Sequence, residues 1–286
     1  MNNDNPHKYT RLGLKLPQPY IQFTITAGLF LFLYFPLVPQ LINEWASNED
    51  YSHGFIVFLI IGYFLWRKRD ELKNTPVIPS PVGLLFILAG VGLYFAANLG
   101  YQFFLQCVSM LVVILGLVYA QAGWSMTKRI LFPVFYSLFI IPLPQVILTT
   151  ITFHLRLFST KIAFFAIKFL GIKATMEGNI IQLPVTTLVV ANPCSGLRSL
   201  ITFMAASLAI GYLFQKSFKN RAVLFVFSIL LAIAMNTLRL VLEAVIAYAF
   251  KMESVGQSLD SAVGIVVLII GAVILLALNN ILEKIK

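Results

Sequence analysis

The sequence contains little charge and little cysteine. Only 11% of its 286 residues are charged, whereas 59% are hydrophobic, and a soluble domain carries about twice that share of charge. Many apolar runs reach the roughly 20 residues that a helix needs to cross a bilayer. The two cysteines, Cys107 and Cys194, are too few for a disulfide framework. The composition therefore excludes an ordinary soluble protein and a disulfide-stabilised secreted one.

Basic residues are confined mostly to short segments between the apolar runs. This distribution fixes the orientation of membrane helices, so the net charge of +10 at pH 7 does not indicate binding to nucleic acid. The first 20 residues are polar and carry no cleavable signal pattern, and the apolar run that follows is long enough to span. We expect that run to stay as a membrane anchor.

Eight apolar runs are predicted to span the membrane, with both termini in the cytoplasm. They cover residues 21–41, 54–66, 82–99, 103–122, 130–141, 197–214, 222–250 and 261–281. The acidic loop 43–53 then lies outside, and the basic clusters 67–73 and 216–221 lie in the cytoplasm. The sequence thus predicts an all-α polytopic protein of the inner (cytoplasmic) membrane, a single integral domain over residues 1–286 with a cytoplasmic tail at 1–20.

One apolar segment, residues 149–170, is predicted to lie along the membrane surface. His154, Lys161 and Lys168 are spaced by seven residues and share one helical face, which favours an interfacial helix over a crossing one. Two β-prone stretches follow, 177–184 and 187–191, separated by a turn that contains proline. Residues 149–194 are therefore expected to form an extracytoplasmic interfacial helix followed by a short hairpin.

Three chemically distinctive residues of the last three spans are predicted to lie at one height. With a rise of about 1.5 Å per residue, Cys194, Arg239 and Asp260 lie about 33, 27 and 36 Å from the cytoplasmic basic residues of their spans. The hydrocarbon core is about 30 Å thick. All three residues are therefore expected near the outer face, and His53, at the start of the second span, shares that level.

Cys194 is the strongest candidate for a catalytic residue. It precedes Ser195 and Gly196 at a predicted strand-to-helix junction, and a helix N-terminus favours the reactive thiolate. Spacing alone explains it equally well as a small residue in a tight turn. Arg198, one turn later, either adds positive charge beside the thiol or contacts lipid headgroups.

Arg239 is a physical anomaly, because an arginine near a membrane boundary needs a partner. It is suited to stabilise a thiolate or an oxyanion, and it is equally suited to pair with Glu243, one turn later on the same face. Both roles hold together if Glu243 orients Arg239. Taken alone, Asp260 is best explained as the cap of the last span, and His53 as a structural residue.

A set of motifs extends from residue 51 to the last span. It comprises Tyr-Ser-His-Gly at 51–54, Trp-Arg-Lys-Arg-Asp-Glu-Leu at 66–72, Ile-Pro-Leu-Pro at 141–144, Glu-Gly-Asn-Ile-Ile-x-Leu-Pro at 177–184, Cys-Ser-Gly-Leu-Arg-Ser at 194–199 and Asn-x-x-Arg at 236–239. Together these motifs resemble the exosortase/archaeosortase family of membrane-embedded cysteine transpeptidases. Each piece is weak alone, and the combination is highly specific.

The resemblance implies eight spans, Cys194 as the nucleophile that forms an acyl-thioester, and Arg239 as the stabiliser of thiolate or oxyanion. It implies membrane-anchored protein substrates with a C-terminal sorting signal: a short motif such as Pro-Glu-Pro, a transmembrane helix and a basic tail. Cleavage is followed by transfer to an envelope acceptor, often in connection with exopolysaccharide export. No cofactor or metal is expected. The expected supporting residues are His53, Ser195, Gly196, Arg198 and Glu243.

Asp260 departs from the family pattern. The family usually places a histidine, or an arginine in some archaeal members, four residues before a glycine at the start of the last span. Here the spacing to Gly264 puts Asp260 at that position. A carboxylate accepts a proton or orients a histidine, but its charge does not lower a thiol pKa. By height, His53 is the nearest alternative imidazole.

Two other classes of function stay open at this point. A membrane transporter needs ionisable groups near the midplane or broken inverted repeats, and the sequence shows neither. A non-catalytic assembly factor for an envelope or polysaccharide-export complex is favoured if Asp260 marks lost catalysis. The sorting motif, the acceptor and the oligomeric state are not encoded in any pattern that we recognise.

Overall fold

The fold is given by a computed structural model, which describes residues 18–190, 196–252, 254 and 256–284. Within these ranges the chain is almost entirely helical, with a small sheet. The helices are α1 (Gln18–Tyr34), α2 (Leu37–Ser47), α3 (Gly54–Arg67), α4 (Arg69–Lys73), α5 (Val82–Leu99), α6 (Phe103–Ala122), α7 (Trp124–Tyr136), α8 (Gln145–Phe169), α9 (Leu197–Phe214), α10 (Phe218–Ala249) and α11 (Gln257–Lys284), with 3₁₀ turns at Glu49–Tyr51 and Ser137–Ile140.

Five of the described helices are long and apolar enough to cross a membrane, namely α5, α6, α9, α10 and α11. The number rises to seven if each of two bent helix pairs is one span. The helix α3 is apolar but has only 14 residues, fewer than the roughly 20 of a typical span. The chain is therefore a multi-pass membrane protein, and the number of eight spans stays a prediction.

Two of the predicted spans are not straight helices. Run 21–41 is interrupted before α2, where the axis bends by 52°, because Pro36 cannot donate the helical hydrogen bond of its position. Run 130–141 falls in the second half of α7 and the 3₁₀ turn after it, and α8 then departs at 76°. Pro142 and Pro144 explain this second break, since the residue before a proline is pushed out of the helical region.

The helix α8 begins four residues before its predicted start and carries the predicted basic stripe on an exposed face. His154, Lys161 and Lys168 are all exposed, beside the exposed rings of Phe158 and Phe165. Basic and aromatic side chains mixed on one face are typical of a helix in the membrane interface. The large angle to α7 fits that orientation, which stays a prediction.

A three-stranded antiparallel sheet follows α8. Its strands are β1 (Thr175–Glu177), β2 (Ile180–Gln182) and β3 (Thr187–Val189), in spatial order β1-β2-β3. The predicted hairpin corresponds to β2 and β3. Stretch 177–184 is not one strand, because Gly178 has φ +59° and turns the chain between β1 and β2. Ile181 and Leu188 share a buried apolar core with residues of α8 and α10, among them Ile167 and Leu240, so the sheet packs on both helices.

The helices α9, α10 and α11 are antiparallel to one another in chain order and pack around a shared core. Phe203, Leu231 and Val267 contribute to it from the three helices. Gly271 allows the closest approach, since a Cβ there would lie 2.2 Å from the Phe203 ring. We call the end where α9 and α11 begin and α10 ends the upper end. The end at the α9–α10 connection is the lower end.

A hydrogen-bonded network closes the lower end. Gln215 is 3% exposed, and its amide donates to the side-chain oxygen of Asn279 at 2.9 Å and to the Asn279 carbonyl at 3.0 Å. Asn220 donates to Gln215 Oε1 at 3.0 Å, and Arg221 Nε donates to the Gln215 carbonyl at 2.9 Å. These bonds tie the α9–α10 connection to α11.

Replacing Gln215 with leucine should lower the free energy of unfolding by about 1–3 kcal/mol, because the buried Asn279 amide would lose its partner. Thermal unfolding in detergent should show a lower Tm for Gln215→Leu. Asn43→Leu is the matched control, since Asn43 is exposed, and it should leave Tm nearly unchanged. Equal Tm values for the two variants would contradict a stabilising network.

Candidate active site

The start of α9 is pressed against the middle of α10. Gly196 caps α9 with φ +85° and no side-chain cap, a backbone conformation that favours glycine. A Cβ at this position would also lie 2.9 Å from both Cγ and Nδ2 of Asn236. Both the backbone conformation and the nearby Asn236 side chain therefore require glycine at residue 196.

Cys194 and Ser195 lie outside the described residues. In the sequence, Cys194 stands two residues before Gly196, which packs against Asn236. The role of Cys194 as a nucleophile stays a prediction. The second cysteine, Cys107, is fully buried in α6, as its apolar run predicts.

Arg239 is held between two acidic side chains. Its Nε donates to Glu243 Oε1 at 3.0 Å, and its Nη2 pairs with Asp260 Oδ1 of α11. The predicted ion pair with Glu243 is therefore confirmed. Gly264 lies against the guanidinium, since a Cβ there would be 3.5 Å from Arg239 Cζ. The first turns of α11 therefore lie in van der Waals range of Arg239.

Asp260 is not the cap of the last span. The helix α11 begins at Gln257, so Asp260 lies inside its first turn and directs its carboxylate to Arg239. The capping interpretation is wrong because the helix starts four residues earlier than the hydropathy pattern suggests. Because Arg239 binds both of them, the carboxyl groups of Asp260 and Glu243 lie close to each other, and neighbouring carboxyl groups readily share one proton.

His53 and Arg198 form a second polar group near the start of α9. His53 is 8% exposed, and its Nε2 donates to the backbone carbonyl of Phe139 at 3.1 Å. Burial lowers the pKa of His53, and the positive charge of Arg198 lowers it further. The imidazole is therefore neutral near pH 7, with a structural hydrogen bond to the segment that follows α7.

Two neighbours of His53 bind the same proline-rich segment. Trp45 Nε1 donates to the carbonyl of Ile140 at 2.8 Å, and the Tyr51 hydroxyl accepts from the backbone N–H of Leu143 at 2.9 Å. These backbone groups lack helical partners because prolines interrupt the helix there. Trp45, Tyr51 and His53 together fix the point at which α8 leaves the bundle.

An apolar cavity of about 510 Å³ lies beside the first turns of α9. Its lining includes Tyr51 and Leu143 on one side and Leu197, Leu200 and Met204 of α9 on the other. Cavities of this size accept a small group of apolar side chains. The neighbourhood of Gly196 thus borders both a charged cluster and apolar space.

Asn236 is a site residue to which the sequence assigns no role. It stands three residues before Arg239 on α10 and is 2% exposed. Its signal in the sequence is a polar amide within an apolar membrane helix, which is costly and therefore points to a function. The Asn-x-x-Arg motif at 236–239 is thus the part of α10 that faces both Gly196 and α11.

A family model described as Transmembrane exosortase (Exosortase_EpsH) matches residues 45–277, which is most of the chain. The chain belongs to the transmembrane exosortase family. The matched region of this exosortase starts at Trp45 and includes Gly196, Asn236, Arg239 and Asp260. No curated protein and no solved structure matches the chain.

Removing Arg239 should destabilise this exosortase more than removing Asp260. Arg239→Leu leaves two poorly exposed acids without their cation, which should cost about 3–5 kcal/mol of unfolding free energy. Asp260→Asn should cost less, because its side chain is 24% exposed and Arg239 keeps Glu243. Thermal unfolding of both variants in detergent tests this order, and equal losses would contradict it.

The lowered pKa of His53 predicts a pH-dependent stability. Below the unfolded value of about 6.5, the unfolded chain binds a proton that the folded chain excludes, so stability should fall as the pH decreases. His53→Gln keeps an N–H donor for Phe139 and removes the titration. Tm measured between about pH 7.5 and 5 should therefore fall more steeply for the wild type. Parallel profiles would refute the assignment.

Proposed function

We propose that this exosortase cleaves the C-terminal sorting signals of exported, membrane-anchored proteins and passes the acyl group to an envelope acceptor. One observation carries the proposal: three helices bring Gly196, Arg239 and Asp260 to the upper end of the bundle. Cys194 stands two residues before Gly196 in the sequence. A thiol, a paired arginine and an acidic cluster are then available to one substrate.

The proposed reaction is acyl transfer through a thioester. The Cys194 thiolate attacks the scissile carbonyl carbon, a C–S bond forms, and the C=O electron pair moves to oxygen. Collapse restores the carbonyl and breaks the C–N bond. The amine leaves with the transmembrane helix and basic tail and takes up one proton. An acceptor nucleophile or water then attacks the thioester and releases the cysteine as thiolate.

We assign different roles to the two arginines, Arg198 and Arg239. Arg239 has five N–H donors, and its bonds to Glu243 and Asp260 fix its orientation and compensate its charge. We therefore attribute the activation of the thiol mainly to Arg198 and to the N-terminus of α9. Arg239 then acts on the developing oxyanion, and the Glu243–Asp260 pair carries a proton in place of the family's histidine.

The distribution of basic residues supports an outward-facing site. The lower end holds the cluster 216–221 and the C-terminal part of α11 with Lys284. Positive residues of short loops lie predominantly in the cytoplasm. The upper end then faces the outside of the inner membrane, where exported substrates present their sorting motif, and both termini lie in the cytoplasm.

A non-catalytic role in envelope assembly is the second candidate. Asp260 favours this role. A histidine at this position would supply a cation or a neutral base, whereas here a carboxylate pairs with Arg239. A protein that has lost its base would keep the fold and the ion pairs. Substrate processing distinguishes the two functions.

Processing should be measured in cells that co-express a candidate protein bearing a C-terminal sorting signal. Wild type and Cys107→Ala should both shift the substrate's mobility, since Cys107 is buried away from the site. Cys194→Ala should leave the substrate intact at normal enzyme levels. Processing of the substrate by Cys194→Ala would contradict the proposed mechanism.

Asp260→His tests whether the acidic cluster supports turnover. If the cluster carries the proton, wild type processes the substrate without this change. A shift with Asp260→His but none with wild type would identify a member that has lost its base and would favour the assembly role.

A further inference from the structure

The side chain of Asn236 is a buried amide within an apolar helix. It is 2% exposed, and neither Oδ1 nor Nδ2 bonds to any of the residues that the structure describes. Leaving a buried polar group unsatisfied costs about 1–3 kcal/mol, and almost all such groups are paired. An amide kept in this state inside an apolar helix indicates a partner that arrives from outside the fold.

The amide lies beside the start of α9, which follows the proposed nucleophile closely in the sequence. Its Cγ and Nδ2 press against Gly196, the N-cap of α9, and Cys194 is two residues away along the chain. Arg239 follows Asn236 after three residues on α10, so the amide stands between Gly196 and the charged cluster. A carbonyl group attacked by the thiol would therefore come within reach of this amide.

Packing alone does not account for asparagine at this position. A smaller apolar residue such as alanine fits beside Gly196 and brings no desolvation cost. The approach of Gly196 requires only that residue 236 be no larger than it is. The fold therefore gives no reason for an amide at residue 236, whereas a carbonyl ligand would use its N–H group.

We propose that Asn236 is a catalytic residue that donates a hydrogen bond from Nδ2 to the scissile carbonyl oxygen and to the oxyanion formed on it. The inference rests on the proposed acyl transfer. A neutral amide suits this task because it stabilises negative charge on oxygen without drawing a counter-ion. Two carboxyl groups already bind Arg239 and compensate its charge. Asn236 therefore adds a second, uncharged hydrogen-bond donor for the oxyanion.

The test is the steady-state kinetics of the full-length enzyme in detergent, acting on a purified protein with a C-terminal sorting signal. Asn236→Leu should lower kcat by about 10²- to 10³-fold, the usual cost of losing one oxyanion donor, while KM changes less than about threefold. Thr237→Val is the matched control. The neighbouring Thr237 hydroxyl bonds to its own helix at Ile233, and its loss should leave kcat unchanged.

A second readout separates chemistry from structure. Alkylation of Cys194 by iodoacetamide forms no oxyanion, so its rate should be the same in wild type and Asn236→Leu. A parallel loss of alkylation and cleavage would overturn the proposal in favour of a structural role. If Asn236→Leu does not fold, Asn236→Ala removes the same donor with a smaller side chain and should lower kcat at least about tenfold.

The outcomes also separate this inference from the proposed function. Cleavage by wild type together with full kcat in Asn236→Leu would overturn the role of Asn236 and leave the acyl-transfer mechanism standing. Cleavage that survives in Cys194→Ala would overturn both.

Discussion

The ion pair between Arg239 and Asp260 is the interaction on which the upper end of the molecule depends. A guanidinium at this depth requires a counter-charge, and Asp260 on α11 supplies it together with Glu243 on α10 itself. The ion pair with Arg239 holds the first turn of α11 against α10, and Gly264 lies beside the guanidinium. Because α9 is pressed onto the same stretch of α10 through Gly196, the charge requirement of one residue organises three helices and the site between them.

A second constraint comes from prolines in the segment after α7. Prolines remove helical hydrogen bonds, and the freed backbone groups need other partners in an apolar environment. Trp45, Tyr51 and His53 provide them, and Gly54 makes room, since a Cβ there would lie 2.6 Å from the Trp45 ring. The Tyr-Ser-His-Gly motif at 51–54 therefore has a structural explanation that its resemblance to exosortases alone does not provide.

Regular, long apolar segments are the part of the fold that the sequence predicts best. The ends of α5, α6 and α9 agree with the predicted runs 82–99, 103–122 and 197–214, because hydropathy, glycine and proline act locally there. Prediction failed where a single residue breaks an apolar run, as Pro36 does between α1 and α2. It also failed in stretch 177–184, where the turn at Gly178 divides a β-prone sequence into two strands.

The sequence by itself determined the membrane class, the family resemblance and the common level of Arg239 and Asp260 along their helices, because composition and helical rise do not depend on packing. It also determined the Glu243 partner, four residues away on one helix. Only the tertiary structure decided that Asp260 binds Arg239 instead of capping its helix, and that Asn236 is buried against Gly196 with no hydrogen-bond partner among the described residues. These facts depend on the rotation of each helix relative to its neighbours, which side-chain contacts between distant segments set and which no local pattern encodes.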